Sequence, residues 1–329
     1  MTEPLLAVRD LTVTFATAEG TVRAVNGIDF TVERGRTLGI VGESGSGKSV
    51  TSLAVMGLHH AATTTVTGSA KLDGTELLGA PDEHLRTLRG RRIAMVFQDA
   101  LTALHPYFTV GDQIAEAYRS HFGGTRKAAH ARAVEVLGDV GIPEPARRAR
   151  EHPHQFSGGM RQRAMIALAL SCEPDLIIAD EPTTALDVTV QAQVLDLLTR
   201  LQRERGLGLV LITHDLGVIA RAADDVLVMY GGSAVEQADA EALFTTPRHP
   251  YTRGLLDSLP RLDAAPDTAL RAIPGTPPSL LAPPAGCAFH PRCPAYAATS
   301  DTRCTGERPP LRTVAGGHRS ACIHDEVTA

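Results

Sequence analysis

Gly42-Glu43-Ser44-Gly45-Ser46-Gly47-Lys48-Ser49 follows the apolar run Thr37-Leu38-Gly39-Ile40-Val41 and leads into residues 50–58, which read as a helix. The octapeptide satisfies G-x-x-x-x-G-K-[ST], and the order strand, glycine-rich loop, helix is the context that gives the pattern meaning. The residue types dictate a chemistry. Glycines let successive backbone N–H groups turn inward on phosphate oxygens, and the helix N-terminus adds partial positive charge. Lys48 reaches the β- and γ-phosphates of a nucleotide and Ser49 offers a hydroxyl to Mg2+. A flexible Gly-Ser linker would use the same letters, but a linker has no reason to sit between a buried strand and a helix.

Outward from this loop, short apolar runs recur at residues 93–97, 176–179, 209–213 and 226–230, with helical stretches between them. In 188–205 the residues Val190, Val194, Leu197, Leu198 and Leu201 form one apolar stripe, with Gly206 as the C-cap. Strands alternating with helices imply a largely parallel sheet covered on both faces. Residues 8–32 differ. Leu11, Val13 and Phe15 alternate with Thr12 and Thr14, and Ile28, Phe30 and Val32 follow Asn26-Gly27, so an antiparallel pair turning at Asn26-Gly27 is expected. Residues 100–170 are rich in Ala and Arg, without a strand-like run, and read as a helical insert. Beyond Pro247 hydrophobic periodicity fades and prolines crowd into 274–310, which puts a boundary near residue 258. The glycine-rich loop occurs once, so the chain carries one nucleotide-binding half.

Leu176-Ile177-Ile178-Ala179-Asp180-Glu181-Pro182 is an apolar strand ending in two acids, 132 residues after Lys48 counted to Asp180. At the C-terminal end of such a strand Asp180 can hold Mg2+ directly or through water, and Glu181 can polarise an attacking water. An isolated Asp-Glu pair is ordinarily a solvated turn; with a phosphate loop in the same chain it reads as catalytic. Ser157-Gly158-Gly159, opening a helix, supplies a second N-terminus of phosphate-binding type.

The segment Gln155-Phe156-Ser157-Gly158-Gly159-Met160-Arg161-Gln162-Arg163 resembles the signature sequence of ABC-type ATPases. In the same order Gln98 resembles the Q-loop residue, Ala185-Leu186-Asp187 the D-loop, and His214 in Thr213-His214-Asp215 the switch histidine. The resemblance spans residues 8 to about 240. It implies an α/β P-loop ABC ATPase fold: a RecA-like parallel-sheet core, an antiparallel β subdomain and an α-helical subdomain over about 100–170, together 1–258, with a small Cys/Pro-rich extension over 259–329. It implies ATP and Mg2+ at Gly42 through Ser49, with Ser49, Gln98 and Asp180 toward the metal, and Glu181, His214 and Gln98 as catalytic residues. Phe15 would stack on adenine, although an alternating strand could equally bury it. The signature Ser157-Gly158-Gly159 and Asp187 would complete the ATP site of a second subunit in a head-to-tail dimer. Gln98, joining core to helical insert, would transmit loss of the γ-phosphate to a docked partner.

Residues 248–256 and 273–278 resemble the C-terminal extension of the oligopeptide/dipeptide group of ABC importers, whose other members carry nickel or other small solutes. That implies two integral-membrane permease subunits, a dimer partner (itself or a sister ATPase) and an extracytoplasmic solute-binding protein. Cys287, Cys293, Cys304 and Cys322 are spaced C-x5-C-x10-C-x17-C. Such spacing suits tetrahedral zinc less well than short hairpins do, and four cysteines are also the ligand set of a [4Fe-4S] cluster. Cluster binding is what the resemblance implies, with zinc or free thiols as alternatives and the Cys293 to Cys304 gap longer than the family pattern. Cys172 reads as a small buried hydrophobe.

The 329 residues fit two domains, or one large domain with an appendage, and 43% hydrophobic with 21% charged residues is ordinary globular composition. A net charge of -5 gives no dedicated surface for nucleic acid or anionic lipid. No secretory leader or spanning segment is read, so the expected place is the cytoplasmic face of the membrane, held through protein partners. A soluble ABC ATPase acting on DNA or ribosomes is the competing class, and it would be expected to carry two nucleotide domains or long coiled-coil insertions.

Overall fold

The computed structural model describes residues 3–184, 186–259 and 272–325, which fall into two compact units. The first consists mainly of Gly79–Ile212 and holds the parallel strands Ile93–Val96, Leu176–Asp180 and Gly208–Thr213, with Ile93 opposite Leu176 and Leu176 opposite Gly208. All residues of these strands are buried. Parallel strands covered on both faces have no solvent side, which is why the sequence shows continuous apolar runs there instead of alternation. Phe97, expected to end the first strand, lies beyond it and is exposed.

Between the first two strands run the helices Ala100–Ala103, Val110–Phe122, Arg126–Asp139, Pro145–Arg148 and Gly158–Leu170. Thr109 and Thr125 cap two of them by accepting the N–H groups of Asp112 and Ala128. Their inward faces are small: Ala129, Ala133, Val136 and Leu137 are fully buried, and a Cβ on Gly111 would lie 2.5 Å from the Ala149 carbonyl oxygen. In Val188–Arg205 the expected stripe Val194, Leu197, Leu198 and Leu201 is buried, and Gly206 ends the helix at φ 62. Val190, half-buried, instead meets the signature helix, where a Cβ on Gly159 would lie 2.6 Å from its Cγ1.

The second unit takes in Leu6–Thr31, Thr37–Leu78 and the chain from Thr213 onward. Its antiparallel sheet contains Leu6–Thr17, Gly20–Val32, Thr64–Leu72 and Thr75–Glu76, ordered second, first, third, fourth. The chain reverses at Ala18-Glu19 and not at Asn26-Gly27, which lies inside one strand. There Gly27, at φ 63, donates its N–H to Thr12 Oγ1 (3.1 Å), and a Cβ would come within 2.7 Å of Asp10 Oδ1. Asp10, at φ 46, falls where the first strand slips register between Arg9 and Thr12. The positive φ that makes Asn-Gly a hairpin signal is here accommodated inside a strand.

A second sheet pairs Thr37–Val41 in parallel with Asp225–Tyr230, which turns through Gly231-Gly232 into antiparallel Ser233–Asp239. His318–Ser320 then pairs with Ser233–Asp239, and Arg312–Ala315 lies on its other side. The proline-rich tail thus returns main-chain strands to the sheet. The junction is fixed by Glu236, 0% exposed, which accepts from His318 Nε2 (2.6 Å) and from the N–H groups of Arg248 (2.5 Å) and His249 (2.9 Å). Burial alone would raise the carboxyl's pKa; the hydrogen bonds, led by that of His318, outweigh it and hold the group below its ordinary value.

His249 beside it is 1% exposed, accepts the Tyr251 N–H at Nδ1 (3.1 Å), and is held down to a pKa of about 4 by burial. The folded value lies below the unfolded 6.5, so between those pH values the unfolded chain takes up a proton that the native chain refuses. Stability present above pH 6.5 should therefore fall by about 3 kcal/mol as pH drops to 4, and level off below. His249→Asn keeps a cap acceptor without the titration, and its denaturation midpoint should change less across that window. Parallel midpoint-against-pH curves for the two proteins would refute the assignment.

Candidate active site

In the second unit the buried strand Thr37–Val41 runs into Gly42, and the helix Lys48–Val55 begins at Gly47, which offers its N-terminus no capping side chain. Gly42 and Gly47 are required by space. A Cβ on Gly42 would sit 2.1 Å from the Met229 carbonyl oxygen, and one on Gly47, at φ 101, 2.4 Å from that of Ala24. Gly45 has open space but φ 77. Ser44 and Gly45 are exposed at the loop's crest, and Ser46 Oγ is buried without a hydrogen-bond partner. Lys48, 5% exposed, folds along the loop and donates to the carbonyl oxygens of Gly42 (2.8 Å) and Glu43 (3.0 Å). Its ammonium is thereby held in the hollow of the loop, and Ser49 follows as the second residue of the helix.

Phe15 is half-buried, unlike Leu11 and Val13 on its strand, and meets His59 edge-on at 5.4 Å, so it is not a core residue. His214 lies exposed just past Gly208–Thr213, where Asp215 caps the next helix by accepting the N–H groups of Gly217 and Val218.

In the first unit Asp180, 5% exposed, ends its strand, and Glu181 follows at φ 45, a left-handed conformation that a glutamate rarely adopts. Glu181 donates its N–H to the Ile212 carbonyl (2.8 Å), while its carboxylate accepts from Gln98 Nε2 (3.0 Å) and Thr184 Oγ1 (2.9 Å). Strained backbone together with two donors on one carboxylate is the kind of over-determined placement that functional acids show. Gln98 and Glu181 are thus brought together, and Thr184 is a site residue the sequence reading missed.

Ser157 caps Gly158–Leu170 by accepting the Met160 N–H (3.3 Å), and Asp187 caps Val188–Arg205 by accepting that of Val190 (2.9 Å). Ser157, Gly158 and Asp187 remain exposed, and Gly159 is the contact through which the two helices pack. Ala185 of the expected D-loop lies outside the described residues.

In the tail, Cys287 donates its N–H to the Cys304 carbonyl (2.9 Å), and Cys322 Sγ accepts the His324 N–H (3.3 Å). All four tail cysteines are free thiols. Burial raises each of them, Cys287 to about 11 and Cys322 to about 12, and the thiols of Cys287, Cys293, Cys304 and Cys322 lie near enough to perturb one another. Among the described residues, however, no three His, Cys, Asp or Glu side chains are grouped to hold a metal ion. The expected four-thiolate centre is gathered in one region without being assembled as a ligand set among the described residues. Cys172 is buried, as expected of a small hydrophobe.

Comparison with known proteins gives two family matches. The family described as ABC transporter matches residues 25–184, and the family described as oligopeptide/dipeptide transporter, C-terminal region, matches 235–299. The oligopeptide transport ATP-binding protein OppD of Salmonella typhimurium is 50% identical over 97% of this chain and 93% of its own length. The dipeptide transport ATP-binding protein DppD of Escherichia coli is 48% identical over 97% of this chain and 96% of its own. Among solved structures, a dimeric ATP-binding cassette in a post-hydrolysis state, bound to ADP and Pi, matches with TM-score 0.64 at 28% identity, covering 71% of this chain and 98% of that one.

Proposed function

The chain belongs to the ABC transporter family, in its oligopeptide/dipeptide branch, and from that premise we propose that it is the ATP-hydrolysing subunit of an importer for dipeptides or oligopeptides. The observation that carries the reading is the near full-length similarity to two peptide-transport ATP-binding proteins in a chain that keeps both the nucleotide motifs and the peptide-type C-terminal region. The nickel and nucleic-acid alternatives have no such support.

The roles follow from residue chemistry. The loop from Gly42 to Ser49 turns its N–H groups and Lys48 on the phosphates, and Phe15 presents a ring face to adenine. The hydroxyl of Ser49, the carboxylate of Asp180 and the amide oxygen of Gln98 are the hard oxygen donors Mg2+ prefers, so the residues fit that ion, which would neutralise developing phosphate charge. Glu181 accepts the proton of the attacking water, with Gln98 and Thr184 holding its carboxylate. His214 donates to the γ-phosphate. Ser157-Gly158-Gly159 and Asp187 serve the ATP of the dimer partner.

Two permease subunits and an extracytoplasmic solute-binding protein complete the importer. Among the described residues no helix is long and apolar enough to cross a membrane; attachment to the cytoplasmic face through the permease is part of the same proposal. Affinity purification of the chain from native membranes should recover integral-membrane permease subunits and any sister ATPase. Recovery of ribosomes or nucleic acid without a membrane protein would overturn the reading.

Within the same proposal, the tail cysteines Cys287, Cys293, Cys304 and Cys322 close on one metal centre, a [4Fe-4S] cluster before zinc; their proximity and free thiol state support it. Anaerobically purified full chain should carry about four irons. Metal-free protein with its tail thiols open to alkylation would reject it.

A further inference from the structure

Glu43 is an unconstrained position in the phosphate-loop pattern, yet in the structure it is gripped at three points. Its carbonyl accepts from Lys48 (3.0 Å), its N–H donates to the Tyr251 hydroxyl (2.8 Å), and its carboxylate receives both guanidinium arms of Arg292, at 2.8 Å to Nη1 and 3.0 Å to Nη2. Tyr251 and Arg292 both lie in the segment matched to the peptide-transporter C-terminal region, 208 and 249 residues from Glu43.

The grip is built and not incidental. Arg292 is 7% exposed in its side chain, and each of its five N–H donors has a partner: Nε on the Pro274 carbonyl (2.7 Å), Nη1 on Glu43 and the Tyr230 hydroxyl (3.1 Å), Nη2 on Glu43 and the Ile273 carbonyl (3.4 Å). Its guanidinium lies 5.8 Å from the Tyr230 ring and 6.0 Å from that of Phe289, within cation–π range. Tyr230, Tyr251 and Phe289 pack on one another with centroids 4.5, 5.2 and 5.4 Å apart. Tyr251 is 0% exposed, and burial, the largest influence on it, raises its hydroxyl far above the ordinary range, so it stays a neutral acceptor. A bidentate pair of this burial is among the more rigid connections a side chain can make.

The placement has a chemical consequence. Glu43 carries a negative charge on a loop whose ligand is a polyphosphate, and Arg292 neutralises it at the point of attachment. We propose that Arg292, together with Tyr251, is a positioning residue for ATP, through which the C-terminal region fixes the conformation and charge balance of the phosphate loop. The proposal rests on the ATP-binding role given above and adds to it: the extension is part of the nucleotide site's support and not an appendage to it. Cys293 directly follows Arg292, so whatever the tail thiols bind adjoins the same support.

The test uses the full chain, a fluorescent ATP analogue with Mg2+, and steady-state turnover. Arg292→Gln should raise the Kd about tenfold or more by leaving Glu43 unpaired, with kcat at saturation changed less than about threefold. Adding Glu43→Gln to that variant should bring the Kd back to within about threefold of the starting protein, a rescue that a merely structural arginine would not show. An unchanged Kd in Arg292→Gln, or no recovery in the double variant, overturns the proposal. Thermal unfolding checks the folding of each variant. If Arg292→Gln does not fold, Tyr251→Phe, which keeps the ring packing, decides: a Kd raised about threefold supports the clamp and an unchanged one refutes it. Failure of the starting protein itself to bind the analogue would reject the ATP reading instead.

Discussion

Glu181→Gln should bind ATP as tightly as the parent chain and turn it over at a rate lower by about two to four orders of magnitude, the range a positioned general base supplies. The substitution is close to isosteric, and the two donors now on the carboxylate, Gln98 Nε2 and Thr184 Oγ1, can still bond the amide oxygen. What is lost is the basic oxygen that takes the proton from water. A loss of that size corresponds to about 3 to 5 kcal/mol of transition-state stabilisation. Affinity should be preserved because the substitution leaves the N–H groups and the lysine of the loop from Gly42 to Ser49 unchanged. With hydrolysis blocked and binding intact, the ATP-bound dimer should accumulate, and light scattering should show the mass doubled only when ATP and Mg2+ are present. Turnover within tenfold of the parent would remove Glu181 as the base. The unusual φ of 45 at this residue gives a second readout. Glu181→Gly relieves that strain while deleting the carboxylate, so it should gain thermal stability and lose turnover together.

How much of this was legible beforehand depends on whether the constraint is local in sequence. Gly42, Gly47 and Lys48 are readable because one loop needs them in fixed order, and the structure places Lys48 over the carbonyl oxygens of its own loop. The buried parallel strands were readable because burial on both faces removes polar residues from whole segments, as at Leu176–Asp180. Asn26-Gly27 misled because a left-handed glycine can sit inside a strand as well as in a hairpin turn, and only the facing Asp10 and Thr12 decide which. Thr184 escaped notice because a hydroxyl beside an acid has no pattern of its own; its role exists only through Glu181. The tail's strands Arg312–Ala315 and His318–Ser320 are too short for a period to emerge, and their place is fixed by Glu236, 82 residues before His318. The grip of Arg292 on Glu43 is of the same kind: neither residue belongs to a pattern that mentions the other.

Gly47→Ala should be a severely damaging substitution, and the reason separates it from its neighbour Gly45. At Gly47 the backbone is left-handed, with φ 101, and the added methyl carbon would lie 2.4 Å from the Ala24 carbonyl oxygen and 3.4 Å from Met229 Cε. The methionine end can swing away, but the carbonyl belongs to the strand Gly20–Val32 and cannot move without disturbing that strand. The conformational strain alone is about 1 to 3 kcal/mol, and relief of the clash must come from shifting either the strand or the loop. If the strand yields, the unfolding free energy should fall by several kcal/mol, on the order of 4 or more. If the loop yields, Gly47 is displaced at the point where the helix N-terminus faces the phosphates, and ATP affinity should drop at least about a hundredfold through misplaced N–H groups. Gly45→Ala meets no atom within 4 Å and carries only the cost of φ 77, about 1 kcal/mol. Urea denaturation and ATP titration of the two variants therefore have a required order. Gly47→Ala must be worse than Gly45→Ala in stability, in affinity or in both, and equal, mild effects would mean that the approach of Ala24 to the loop does not hold in solution. The same comparison bears on the C-terminal support, because a loop already held through Glu43 by Arg292 and Tyr251 has less freedom to absorb the clash. Gly47→Ala should accordingly lose less affinity in an Arg292→Gln background than in the parent, and simple additivity of the two losses would indicate that the loop is not held from the tail.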